Sequence, residues 1–358
     1  MGDLMDVKDI ANMLNSKVDE LVTYLLPAAV RDGHEWRIGS VAGEPGRSMA
    51  IHRSGSMRGV WKDFSSVEHS GDALDLVSWV RFGGNKKDAI CWSKSWMGID
   101  DMDPGRLKAI QAKVKKQAED AERKALDDAR RREKYAKAIW LGAKKDLAGT
   151  PVDLYLLGRG IGIADLAKPP GAIRFAPSLK YPDGQYYTAM VAAIVNGEGK
   201  QIAVHRTFLH SSQPFLWTKA PVPDAKKVLG SYRGGFIPLS RGSSNKSLRD
   251  APDGETVVIC EGIEDGLSIA LVCPERRVLA GISVGNFQNI RLPQAVKKVI
   301  LARDNDAAGS QADKALQNAV DVLAMQGRQV FIAASPEGKD FNDLLRVERG
   351  LTKKEERA

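Results

Sequence analysis

The chain has 358 residues, 43% hydrophobic and 27% charged, with 53 Lys and Arg against 45 Asp and Glu, a net charge of +8 and a pI of about 9.2. This is the composition of a folded, water-soluble protein with room for two or three domains and a basic surface suited to a polyanion. No apolar stretch reaches the roughly 18 residues of a membrane span, and the start Met1-Gly2-Asp3-Leu4-Met5-Asp6 offers neither a signal peptide nor, with Asp6 in place of Ser or Thr, a myristoylation site. Cys91, Cys260 and Cys273 form no CxxC pair, which argues against a disulfide framework and points to a reducing cytoplasm with no membrane partner.

Residues 1–30 read as helical. Val7, Ile10, Ala11, Leu14 and Val18 recur at helical spacing, Leu21, Tyr24, Leu25 and Leu26 follow, and Pro27 ends the segment. Trp36, Trp61, Phe64, Trp79, Phe82, Trp92 and Trp96 crowd into residues 33–98. Runs at 35–39, 48–52 and 59–64 predict a three-stranded meander, and Asp72 opens a helix. Trp61-Lys62-Asp63-Phe64, followed by Ser70-Gly71-Asp72-Ala73-Leu74-Asp75-Leu76, resembles the N-terminal zinc-binding domain of bacterial and phage primases. That family carries Cys and His ligands on its ribbon. Here the cysteines are absent and only His34, His52 and His69 remain, so zinc is not expected and the tryptophans take over as core filler. Residues 1–100 are thus expected to form a small ribbon-like domain. The resemblance implies DNA contact through Arg37, Arg47, Arg53, Arg58 and Lys62; a folding or docking module is the alternative.

Residues 101–149 are a basic linker. Asp103-Pro104 is a helix start, and from Arg106 to Lys145 there are 14 Lys and Arg against 6 Asp and Glu, an excess equal to that of the whole chain. The apolar stripe Leu107, Ile110, Val114, Ala118, Ala121, Ala125 is thin. This predicts a long solvated helix between domains, with nucleic-acid contact left open. Residues 150–250 are mixed: a helix over 152–161 stopped by glycine, then strands at 172–175, 189–195 and 202–209, the last two joined by the hairpin signal Asn196-Gly197-Glu198-Gly199. The layout resembles the subdomain that precedes the catalytic domain of primases. The resemblance implies template or nucleotide contacts by Arg159, Arg206, Lys219, Lys226, Lys227 and Arg233, and leaves His205 a strand residue.

Two later segments share one build. Thr256–Cys260 is apolar and stops at Glu261-Gly262; Val299–Ala302 is apolar and stops at Arg303-Asp304-Asn305-Asp306. Such runs suit strands buried on both faces of a parallel sheet, whose functional groups collect beyond the strands' carboxyl ends. Strands at 256–260, 278–281, 298–302 and 329–334, alternating with helices near 264–272 and 309–326, predict a doubly wound α/β domain over 251–347, with 348–358 as a charged tail. The whole chain then reads as a multidomain α+β and α/β protein. Carboxylates delivered to one sheet edge repel each other unless a cation sits among them, and hard oxygen ligands suit Mg²⁺ or Mn²⁺. Asp304 and Asp306, two apart on a loop, are the first-choice ligands, with Glu261; Asp340 and Asp343 follow the last strand.

Taken together, Glu261-Gly262-Ile263-Glu264-Asp265, Asp304-Asn305-Asp306-Ala307-Ala308-Gly309 and Gly338-Lys339-Asp340-Phe341-Asn342-Asp343 resemble the three signatures of the Toprim domain. That domain is shared by bacterial-type primases, type IA and type II topoisomerases and some nucleases. The resemblance covers roughly 254–346. It implies Glu261, Asp304 and Asp306 as catalytic residues and metal ligands, Asp265 at the second acidic position, and a further metal at Asp340 and Asp343, although Asn342 replaces one Asp of the family's Asp-x-Asp. Arg303 and Lys339 adjoin the carboxylates and suit triphosphate oxygens. The implied activity is that of a phage- or plasmid-type DNA primase, a nucleotidyltransferase that builds short RNA primers on single-stranded DNA from nucleoside triphosphates in DNA replication. No G-x-x-x-x-G-K-[ST] occurs, so the replicative helicase is expected to be a separate partner. A topoisomerase would need a tyrosine nucleophile on a further domain. A Toprim nuclease and a non-catalytic nucleic-acid-binding protein are the alternatives.

Overall fold

The computed structural model describes residues 6–66, 69–99, 104–213, 215–307 and 309–351. The expected helix start at Asp103, Ala308 of the second signature and the tail beyond Leu351 lie outside the described residues, as do the side chains of Arg106 and Leu107. The chain forms two compact units, Met1–Asp128 and Ala129–Ala358.

In the first unit the expected opening helix is two helices, α1 (Val7–Ser16) and α2 (Val18–Leu25), because the backbone leaves helical geometry at Lys17, with φ −111° and ψ 22°. Five short strands follow in chain order as one antiparallel sheet: β1 (Val30–Asp32), β2 (Glu35–Ile38), β3 (Met49–His52), β4 (Trp61–Asp63) and β5 (Ser70–Gly71). The predicted meander is its centre, extended by one strand on each side. Period-two alternation puts Trp36, Ile51 and Trp61 in one cross-strand row, packed on Val18, Val22, Leu26 and Leu76. The buried Trp61 indole donates to the Asp72 carbonyl at 2.8 Å. Asp72 caps α3 (Ala73–Phe82) by accepting from the amides of Leu74 and Asp75. α4 (Lys86–Trp96) completes this part.

α5 (Pro104–Gly142) runs on from the first unit into the second. Its last turns bury one stripe. Ala136 is buried with Ile139 and Trp140 against a sheet face, and the Arg174 guanidinium lies 3.5 Å from the Trp140 ring centre while donating to the carbonyls of Trp140 and Leu141. A cation on the last carbonyls closes the helix end.

In the second unit α6 (Pro151–Gly158) starts at a Thr150 cap. β6 (Ile173–Lys180), β7 (Tyr186–Val195), β8 (Gln201–Gln213), β9 (Leu216–Lys219) and β10 (Lys226–Gly230) form an antiparallel sheet ordered β10-β8-β7-β6, with β9 also on β8. The third sheet is ordered β11-β13-β12-β14-β15, from β11 (Ile237–Arg241), β12 (Glu255–Cys260), α7 (Ile263–Val272), β13 (Arg277–Ala280), α8 (Val284–Phe287), β14 (Val296–Arg303), α9 (Gln311–Met325), β15 (Gln329–Ala334) and α10 (Phe341–Glu348). Four of its strands are parallel, as expected; β11 runs antiparallel on the edge. One face of the second sheet and one of the third share a core, with Met190, Ala203 and Leu209 against Val258, Leu267 and Val278. Among the described residues no helix is long and apolar enough to cross a membrane.

Candidate active site

β12 and β14 are neighbours, with Ile259 opposite Leu301. Glu261 and Asp304 therefore follow the carboxyl ends of neighbouring strands, which lie about 4.8 Å apart. From β12 the chain passes through α7 to β13 on one side; from β14 it passes through α9 to β15 on the other. The winding reverses between these two strands, which leaves a crevice at their carboxyl ends.

The loop carrying the aspartates is held from below. Arg303 donates to the carbonyls of Asp304 and Asp306, each at 3.2 Å, and pairs with Asp313 at 3.4 Å. Its guanidinium is thus bonded to the loop, whereas the sequence reading offered it to triphosphate oxygens. Asn305 donates its side-chain amide to Ser335 and Gly338 and its backbone amide to Lys339. On the other side the Ile282 amide donates to the Glu261 carbonyl at 3.1 Å. Ile282 has φ +75°, a left-handed conformation that a β-branched residue adopts only when its surroundings impose it.

Asp265 is 4% exposed on the first turn of α7. One oxygen accepts the Phe341 amide at 2.8 Å; the other is buried without a hydrogen-bond partner. Asp340 caps α10 by accepting the Asp343 amide. Asp343, expected as a ligand, instead accepts the Lys339 amide and faces Arg346 at 3.8 Å, so it stabilises the turn. Asn342 is fully buried and donates to the Arg159 carbonyl at 2.8 Å and to Ser268 at 2.9 Å. It ties α10 to α6 and α7.

Charge marks the acidic edge as one group. Burial, then Asp304 and Asp306, push the Glu261 carboxyl up. Burial and Asp340 push Asp304 up. Burial, Asp340 and Asp304 push Asp265 up to about 7. Among the described residues no three His, Cys, Asp or Glu side chains close on a single point. The chemistry of the donor set nonetheless fits a hard divalent ion: the carboxylates raise one another, and one buried oxygen lacks a partner. Glu261, Asp304 and Asp306 are the residues that would hold Mg²⁺ or Mn²⁺, and Asp265 and Asp340 add to the same acidic field.

The basic residues do not act as one set. Lys226 pairs across strands with Thr207, and Lys219 with Leu209, on the sheet face that carries the shared core. Lys227 pairs with Arg206 on the other face, where Arg206 lies 5.7 Å from the Phe208 ring and Lys227 bonds Asp224 at 2.8 Å. The sequence grouped all four; the pleat sends only Lys219 and Lys226 toward the carboxylates. Lys226 bonds Glu264 at 3.0 Å, and the Tyr155 hydroxyl donates to the other Glu264 oxygen at 2.6 Å. Burial raises the Glu264 carboxyl, but Lys226, Tyr155 and Lys219 outweigh it and hold the group well below the carboxylate range. Exposed Lys339 lowers Glu261 and Asp304. Arg159 sits close enough to Lys219 to lower it, after burial and Lys226. Arg233 bonds Asn289. His205 is buried and lowered to about 4, by burial first and then by Lys226, so it is neutral near pH 7.

In the first unit Arg37 pairs with Glu35 at 2.6 Å, Arg47 with Asp32, and Arg53 with Asp19 at 2.8 Å. Arg58 and Lys62 are exposed. The three histidines have separate neighbours: His34 meets Ser54, His52 meets Glu35 and His69 packs on Trp79. Sequence reasoning missed Tyr155, which reaches Glu264 across 109 positions, along with Ile282 and Asp313. Only Asp313 left a signal, since Ser310 followed three residues later by an acid is the spacing of a helix cap.

Comparison with known families places residues 256–350 in the Toprim domain model and residues 130–239 in a domain of unknown function, DUF7146. The parallel strands of the third sheet and their helices are thus a Toprim domain. No curated protein matches. Among solved structures, similarity extends to the zinc-binding and RNA polymerase domains of the Aquifex aeolicus primase, at 17% identity and TM-score 0.37 over 96% of this chain and 84% of that one. The primase fragment of the bacteriophage T7 primase-helicase gives 18% identity and TM-score 0.37 over 59% of this chain and 76% of that one. A DNA primase domain from Pseudomonas aeruginosa gives 20% identity and TM-score 0.37 over 62% and 78%.

Proposed function

We propose that this Toprim-containing chain is a primase-type nucleotidyltransferase that joins nucleoside triphosphates into short primers on single-stranded DNA in the cytoplasm. What supports the reading is that Glu261 and Asp304 follow neighbouring strands at the winding reversal of the Toprim sheet, each raised by burial and then by neighbouring carboxylates, with Lys226 and Lys219 on the facing sheet. A bound Mg²⁺ or Mn²⁺ supplies charge neutralisation at the triphosphate and lowers the pKa of the attacking 3′-hydroxyl. Glu261, half-buried and raised, suits acceptance of the hydroxyl proton. Lys219, Lys226 and Lys339 suit the triphosphate oxygens. The amides that open α7 after Gly262 favour an anion at that helix start. Arg58 and Lys62, both exposed, and the basic α5 suit the template backbone. A separate replicative helicase would open the duplex.

The test is incubation with single-stranded DNA, labelled ribonucleotides and Mg²⁺ or Mn²⁺. Labelled oligomers are expected. Shortened DNA would make the chain a nuclease, and neither product would make it a binding protein. Asp304→Ala should reduce synthesis to background while leaving the circular dichroism spectrum unchanged.

A further inference from the structure

Glu264 takes no part in the chemistry above, yet it is one of the most fully committed side chains of the second unit. It is 3% exposed on the first turn of α7. Both its oxygens are used, one by the Tyr155 hydroxyl at 2.6 Å and one by the Lys226 ammonium at 3.0 Å. A carboxylate is kept ionised at such burial only by partners of this kind.

Lys226 has rival partners. It lies near enough to Glu261 and Asp304 to lower both, and it rides on a flexible four-carbon stem. Released from Glu264, a monovalent ammonium would settle among carboxylates that repel one another. There it would occupy the charge a divalent ion needs. With one N–H spent on Glu264, Lys226 keeps two donors for another anion. The Tyr155 hydroxyl fills the first oxygen, which leaves the second as the lysine's berth.

We propose that Tyr155 and Glu264 are positioning residues that tether Lys226 beside the acidic edge and so keep Glu261, Asp304 and Asp306 open to a divalent cation. This rests on the reading of those carboxylates as an ion site. The test is Mn²⁺ uptake by the full chain without nucleotide, counted as free Mn²⁺ by electron paramagnetic resonance, for the wild type, Glu264→Gln, Lys226→Met and the double variant. Glu264→Gln keeps an oxygen for Tyr155 but offers the lysine an amide or no partner. It should weaken Mn²⁺ binding about tenfold, and adding Lys226→Met should bring affinity back to within about threefold of Lys226→Met alone. A charge field acting at a distance would give additive effects; a tether gives strongly non-additive ones. Additivity, or no loss in Glu264→Gln, overturns the proposal. If Glu264→Gln does not fold, Tyr155→Phe takes its place, with an expected loss of about threefold that Lys226→Met removes, and no loss overturns the tether. A wild type that takes up no Mn²⁺ overturns the ion-site reading and the tether with it. Uptake with an additive cycle overturns the tether alone.

Discussion

Replacing Asp265 with Asn should make the ion-free protein more stable at neutral pH while weakening the proposed ion site. Asp265 is raised from 3.8 to about 7 by burial, Asp340 and Asp304. The folded state therefore holds this proton more tightly than the unfolded chain does. Stability is highest below the unfolded value, falls as pH rises from about 4 to about 7, and stays low above that. Three units at 1.36 kcal/mol each set an upper bound of about 4 kcal/mol, shared with the carboxylates that cause the shift. In Asp265→Asn the amide oxygen keeps the Phe341 bond, and the NH₂ group replaces an oxygen that has no hydrogen-bond partner. It can donate to a neighbouring carboxylate. The gain over wild type should be near zero at pH 4 and approach the bound at pH 8. Five of the seven tryptophans lie in residues 1–128, so tryptophan emission would report the wrong unit. Hydrogen exchange of peptides covering α7, in chelator, reads the right one. Mn²⁺ should close the gap by stabilising only the wild type. Equal stability at pH 8, or an equal gain at both pH values, would refute the charge argument.

Gly266 lies inside α7, where alanine ordinarily gains about 1 kcal/mol. Here an added Cβ would come within 2.4 Å of Leu239 Cδ1 and 2.6 Å of Cys260 Sγ, both buried. Overpacking of about 1–3 kcal/mol should therefore win, and Gly266→Ala should lower the unit's melting temperature by a few degrees, with Cys260→Ala recovering part of it. Asn342→Asp, which restores the Toprim family's second acid, removes both donors to Arg159 and Ser268 and buries a charge at a fully buried site. It should cost about 3 kcal/mol or more by urea unfolding.

The sequence carried the parallel strands of the third sheet, because strands such as β12 and β13, buried on both faces, leave unbroken apolar runs that end in polar residues. The stops at Glu261 and Arg303 mark the two strand ends. The capped start of α3 at Asp72 was equally plain, since a cap is a local bond. What stayed hidden depended on partners far along the chain. The antiparallel β11 is an ordinary short run whose neighbour, β13, is set by the fold. The break between α1 and α2 at Lys17 falls inside an uninterrupted helical pattern. The four basic residues around β8 and β10 looked alike because composition does not report which face a side chain takes. The pairing of Lys227 with Arg206 decides that. Asp343 is ambiguous for the opposite reason: its spacing after Asp340 suits a turn-stabilising pair as well as a second ligand.

The distribution of strain separates the two units' tasks. In the first, cations and rings are matched locally, with Arg53 on Asp19 and 5.3 Å from the Trp36 ring, and Trp36 bonded to the same Asp19. In the second, several exceptions lie together at one sheet edge. Ile282 holds a left-handed backbone beside Glu261, Asp265 keeps a buried oxygen without a partner, and Glu261, Asp304 and Asp265 are each raised in part by neighbouring carboxylates. A fold selected for stability alone would relieve all of these, and Asp265→Asn shows how small a change would relieve one. Their persistence around a single crevice is what a site awaiting an opposite charge requires. The basic lining of the facing sheet adds the second requirement, an anion that arrives with the cation.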